Sequence, residues 1–172
     1  PKQFRVRRYP DITHTVRCQY PIPKWDEAWA QAYDRQPIMP VPLHSAHVCN
    51  LLAGYAEGAI PYSEGTGDDV NKAVWSAMLW DPKADVRDVL VDYGRYFVGP
   101  EFAEDVADGL LSLERDWAGP ALTNPHVTRT LARWQAIESR AQQKVGKNWR
   151  LQQFLLRAYM DAYVQKRLQR EA

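Results

Sequence analysis

Prolines divide this chain into two unlike parts. After Pro1 they stand at positions 10, 21, 23, 37, 40, 42 and 61, then thin out to 82, 100, 120 and 125. Each proline removes a backbone donor and ends or kinks a helix, so the stretch before Gly65 is restricted to strands, loops and short helices. Beyond Gly65 the apolar residues recur at helical spacing. Two regions are therefore expected: 1–67, built of strands and helices, and 68–172, a helical domain.

Within the first region, Ile12–Tyr20 is rich in β-branched and aromatic residues and runs into Pro21, the signature of a strand feeding a loop. Trp25, Trp29 and Tyr33 share one face of a short helix, and Val48, Leu51, Leu52 and Tyr55 form a stripe on a helix over 43–56. Residues 58–63 read as a second strand, with Gly65 to Gly67 as the turn after it. Strand, helix, helix, strand and a loop into another helix is the order of β/α units in a parallel sheet or barrel.

The second region predicts about five helices. The first runs over 69–80, with Val70, Val74, Ala77 and Met78 inward. The second is capped by Asp85 and carries Val86, Val89, Leu90, Tyr93, Tyr96 and Phe97. Phe102, Val106, Leu110, Leu113 and Trp117 mark a third. Asn124-Pro125 starts a fourth through Val127, Leu131, Trp134, Ile137, Ala141 and Val145. Asn148 caps the last, which packs through Leu151, Phe154, Leu155, Ala158 and Ala162, and the short Gly146–Asn148 link forces these two into an antiparallel hairpin.

Composition narrows the function classes. The 172 residues hold 22 Lys+Arg against 21 Asp+Glu, a net charge of +1, which fits about one domain and lacks the cationic excess of a nucleic-acid binder. No run of about 18 apolar residues is present, so no transmembrane helix is expected. Cys18 and Cys49 cannot build a disulfide framework. The chain opens on Pro1 with neither an initiator Met nor a signal pattern, and reads as a fragment whose compartment is open.

The densest polar cluster runs from Tyr62 to Lys72, where a strand ends and a helix begins, the place at which α/β folds collect ligand groups. Glu64, Asp68 and Asp69 cannot all sit close together charged without spreading into solvent or sharing a proton, cation or ligand. Asp68 or Asp69 at a helix N-terminus suits accepting hydrogen bonds from hydroxyls, and Glu64 is the better environment-tuned acid or sugar-hydroxyl ligand. The plainer alternative is an N-cap aspartate, turn glycines and a solvated Glu64. Gln19, Tyr20 and Trp25 form a second strand-end group suited to a sugar ring, or else Trp25 belongs to the core. His44 and His47 share a helix face, but Cys49 falls elsewhere and no fourth ligand has suitable spacing, so no metal and no cofactor are expected. The flanks of Ser63 do not match a nucleophile elbow.

The string Gly-Ala-Ile-Pro-Tyr-Ser-Glu-Gly-Thr-Gly-Asp-Asp-Val-Asn-Lys-Ala-Val-Trp-Ser-Ala-Met-Leu-Trp-Asp-Pro, residues 58 to 82, resembles the C-terminal part of bacterial barrel glycoside hydrolases of the alpha-glucuronidase and beta-hexosaminidase-like kind. The similarity continues through Tyr93-Gly-Arg-Tyr-Phe-Val-Gly99, Asn148-Trp-Arg150 and Asp161-Ala-Tyr163. It implies a mostly helical chain: the last β/α units of a (β/α)8 barrel plus a C-terminal bundle of about five helices. A whole barrel needs roughly 200 to 250 residues, so the resemblance also implies that the catalytic carboxylate pair lies on strands absent here. The implied substrate is a carbohydrate. Tyr62, Glu64, Asp68, Asp69, Asn71 and Lys72, with Gln19, are the implied contacts on one rim of its pocket. The competing expectation is a non-catalytic helical packing or homodimerisation domain, which the supply of Trp80, Tyr93, Tyr96, Phe97, Trp117, Trp134 and Trp149 favours.

Overall fold

The structure is a computed structural model that describes residues 4–13, 38–63, 67–141 and 144–172. It is mostly helical, with a few short strands. The strands are β1 (Arg7–Arg8), β2 (Asp11–Thr13), β3 (Gly58–Ala59) and β4 (Tyr62–Ser63); the helices are α1 (Pro42–Leu51), α2 (Asp69–Trp80), α3 (Val86–Phe97), α4 (Ala103–Arg115), α5 (His126–Ala141) and α6 (Trp149–Glu171).

β1 pairs with β3 and β2 with β4, both in parallel, so the four pieces are two runs of one ribbon. Between Arg8↔Ala59 and Asp11↔Tyr62 the register sets Pro10 opposite Pro61, and neither proline has an N–H to extend the ladder. Pro10 still accepts from the Tyr62 N–H at 2.9 Å. The second strand lies within the expected 58–63; of the first, only its opening residues Ile12 and Thr13 are seen, since 14–20 fall outside the described residues. The helix expected around Trp25 to Tyr33 also lies outside them.

The apolar stripe foreseen on α1 is a correction. The helix stops at Leu51, a single 3-10 turn follows at Ala53–Tyr55, and Leu51, Leu52 and Tyr55 are exposed. The face turned to α2 is instead Pro42, Ser45, Ala46 and Cys49, whose small side chains recur at helical spacing and let the two helices approach.

The five later helices sit close to their expected bounds because their stop and start signals are local. Asp85 accepts from the Arg87 and Asp88 N–H groups, Asn124 Oδ1 from His126 N–H, and Asn148 Oδ1 from the Arg150 and Leu151 N–H groups. Their core gathers Val74, Met78, Leu90, Val106, Leu110, Leu113, Trp134, Ile137, Leu151 and Phe154, and it continues into Ile38, Ala46 and Cys49. Gly94 lets α3 and α4 touch: an added Cβ would lie 2.9 Å from the Ala103 carbonyl oxygen. Gly109 does the same for Trp134, whose indole N–H donates to its carbonyl.

The aromatic supply is spent differently from expectation. Trp134, Tyr93 and Phe154 are buried, but Trp80 and Tyr96 are exposed and Trp149 is half-exposed. On α3 the inward face runs through Leu90, Tyr93, Gly94 and the partly buried Phe97, and Tyr96 falls beyond its edge. On α6 the inward face includes three polar residues, Arg157, Asp161 and Gln165.

Candidate functional site

The carboxyl end of the ribbon meets the start of α2. Tyr62 and Ser63 close β4, and Asp68 takes the N-cap position of α2. Its side chain caps nothing. One oxygen accepts a short hydrogen bond from the Ser63 hydroxyl, and the other faces the Lys72 ammonium at 2.9 Å, one helical turn on. Asp68 is 2% exposed, so it orients Ser63 and Lys72 from behind and does not itself meet solvent.

In front of that pair lies a shallow hollow of about 380 Å³ lined by Ile12, Pro61, Tyr62, Ser63, Lys72 and Ser76. Tyr62 stacks on Tyr9, ring centroids 5.9 Å apart. An aromatic pair beside hydroxyl and ammonium groups suits a polyhydroxylated ligand, apolar ring face against apolar ring face and donors toward oxygens. None of these lining residues is a carboxylate; the polar groups that the described part of the hollow offers are the Tyr62 and Ser63 hydroxyls, the Lys72 ammonium and Ser76.

The remaining cluster residues turn elsewhere. Asp69 forms an ion pair with Arg150 of α6, whose guanidinium lies over the Phe97 ring at 4.0 Å and the Trp149 ring at 4.1 Å. Burial and the neighbouring Asp69 carboxylate push the Tyr93 hydroxyl well above the usual phenol range. Asn71 is buried and spoken for: its Oδ1 accepts from Val41 N–H and its Nδ2 donates to the Met39 carbonyl, both at 2.9 Å, which ties the segment entering α1 to α2. Of the seven expected contacts, the structure brings Tyr62, Asp68 and Lys72 together, sends Asp69 and Asn71 into helix–helix and helix–loop contacts, and leaves Glu64 and Gln19 outside the described residues.

His44 and His47 are exposed on α1 while Cys49 is buried, where burial pushes its thiol up. Among the described residues no group of His, Cys, Asp and Glu is placed to hold a metal ion, and no helix is long and apolar enough to cross a membrane.

Two further clusters escaped the sequence reading. Arg157, Asp161 and Asp116 meet in the interior between α4, α5 and α6. The spacing of Arg157 and Asp161 was a visible signal for an ion pair, but both stand on a face that apolar periodicity alone describes poorly. Arg115, Arg129, Arg133 and Arg140 line a groove between α4 and α5, and the α5 members share one helical stripe.

Comparison with protein-family models, curated proteins and solved structures finds no match to this chain.

Proposed function

We propose that the chain is the C-terminal portion of a carbohydrate-active enzyme of the barrel glycoside hydrolase kind. The hollow at Tyr62, Ser63 and Lys72 forms one rim of its sugar pocket, and α2 to α6 buttress that rim. The observation that carries the reading is the parallel pairing of two strands separated by helix α1, with the hollow at their carboxyl ends. Parallel strands joined through a crossover helix are the repeating unit of such barrels, and their carboxyl ends are where ligands bind. Among the described residues the parallel ribbon has two strands, too few to stand alone, and Phe4, Val6, Tyr9 and Ile60 are exposed along it, apolar surface that the covering layers of a larger α/β fold would bury. The catalytic carboxylates in this reading come from further strands of that fold.

Ser76 gives the cleanest test, because it is exposed, lines the hollow and takes no part in the ion pairs. In the full-length protein carrying this chain, Ser76→Trp fills the hollow and lowers kcat/KM on aryl glycosides by about tenfold or more, chiefly through KM, with the melting temperature unchanged. Activity within about twofold of the parent sinks the reading.

One observation favours the second reading, a packing or dimerisation domain. On α6, Trp149, Leu156 and Tyr163 recur every seven residues with Tyr159 between them, and these side chains are 49%, 44%, 55% and 40% exposed, in the order named. That is the spacing of a helix seam. A dimer built on it dissociates in Leu156→Glu/Tyr163→Glu, which light scattering reads as a halved mass; a parent that is monomeric at about 100 µM excludes it.

A further inference from the structure

The groove between α4 and α5 is the largest cavity among those described, about 460 Å³, within the size range of small-molecule sites. Its lining includes Asp105, Arg115, His126, Arg129, Arg133 and Arg140. The α5 side runs from His126 to Arg140, about 21 Å of helix.

Its charges are unequally matched. Arg140 is paired with Asp105. Arg133 shares Asp108 with Arg87, whose other partner is Glu104. Arg115 and Arg129 have no carboxylate partner among the described residues, so this constellation of five arginines and three carboxylates keeps an excess of two positive charges. The free pair sits together with His126 at one end, where the last turn of α4 faces the first turns of α5.

Every positively charged side chain lining the groove is an arginine; no lysine lines it. A guanidinium presents a rigid fork of donors that matches the oxygens of a phosphate or a carboxylate, whereas an ammonium is a hydrated point charge. The ion pairs at the other end engage Arg133 and Arg140 with Asp108 and Asp105, which leaves Arg115 and Arg129 as the groups available to an anion.

We propose that this groove binds a compact dianion, a phosphomonoester or a dicarboxylate, through Arg115 and Arg129 with His126 beside them. The proposal is independent of the sugar-pocket reading: the groove shares no residue with the hollow at the ribbon end.

Titration calorimetry of the full chain with inorganic phosphate and, separately, with succinate, at constant ionic strength, tests it. Saturable binding of either probe with a dissociation constant of about 1 mM or tighter is expected, and the tighter of the two identifies the oxyanion. Arg115→Gln/Arg129→Gln weakens it by about tenfold or more, while Lys166→Gln, a cation on the exposed side of α6, leaves it unchanged. Both replaced arginines are exposed and have no carboxylate partner among the described residues, so circular dichroism melting matches the parent. Saturation by neither probe, or an equal loss in Lys166→Gln, overturns the proposal.

Discussion

Arg157→Met lowers the unfolding free energy by about 3–5 kcal/mol near neutral pH, the range for removing one partner of a buried ion pair. Arg157 is 1% exposed. Its Nε lies 2.8 Å from both oxygens of Asp161, its Nη1 donates to the Ile38 carbonyl, and its guanidinium stacks over the Trp117 ring at 4.2 Å. Methionine fills much of the same volume, so the loss is electrostatic more than steric: Asp161 stays buried without its cation and the Ile38 carbonyl loses a donor. Urea unfolding measures it. The double variant Arg157→Met/Asp161→Leu recovers most of the loss, because replacing both members by apolar groups removes the desolvation penalty together with the attraction. A single-variant loss under about 1 kcal/mol contradicts this account.

This cluster also shows where sequence reading stops. The helices were legible because their boundaries are written in adjacent residues: Asp85, Asn124 and Asn148 each cap a helix within three positions. The second strand was legible for the same reason: it closes at Ser63, just ahead of the sequence's Gly65 and Gly67. Partner choice across the fold was not legible. Asp69 and Arg150 are 81 residues apart, and nothing local says that Asp69 meets an arginine of α6 while Asp68, its neighbour, meets Ser63 and Lys72. Asn71 belongs to the same short polar run, yet its amide bridges Met39 and Val41. A helix sends adjacent residues in directions about 100° apart, so a polar run at a helix start is dispersed by the helix that follows it. The stripe foreseen on α1 failed through the opposite bias: reading the largest apolar residues as inward missed a close contact made by Ser45, Ala46 and Cys49.

The acid pair beside Arg157 makes stability depend on pH in an unusual direction. Asp116, on the turn after α4, is 5% exposed and receives the Thr130 hydroxyl of α5 at 2.8 Å, while its other oxygen has no donor directed at it. Asp161 of α6 faces it, and one guanidinium, that of Arg157, serves both carboxylates. Burial is the main cause that raises Asp116 to about 7, with the Asp161 charge adding to it and Thr130 and Arg157 opposing; burial raises Asp161 as well. The folded chain therefore keeps a proton on the pair that the unfolded chain releases near pH 4. The stability from that proton is fully present below about pH 4 and is lost as pH rises through about 7, after which it is flat. The loss across that window is on the order of 4 kcal/mol. Glu101, held low by hydrogen bonding and by Lys144, runs in the opposite sense from the surface. Asp116→Asn carries a permanent donor where the parent needs a proton. Its unfolding free energy loses the decline between about pH 5 and pH 8 and exceeds the parent's at about pH 8 by on the order of 2 kcal/mol. Urea unfolding across that range, with a carbon-13 carboxyl titration of the parent, reads both quantities. An unchanged decline in the variant, or an Asp116 carboxyl that titrates near 4, removes the shared proton from the account.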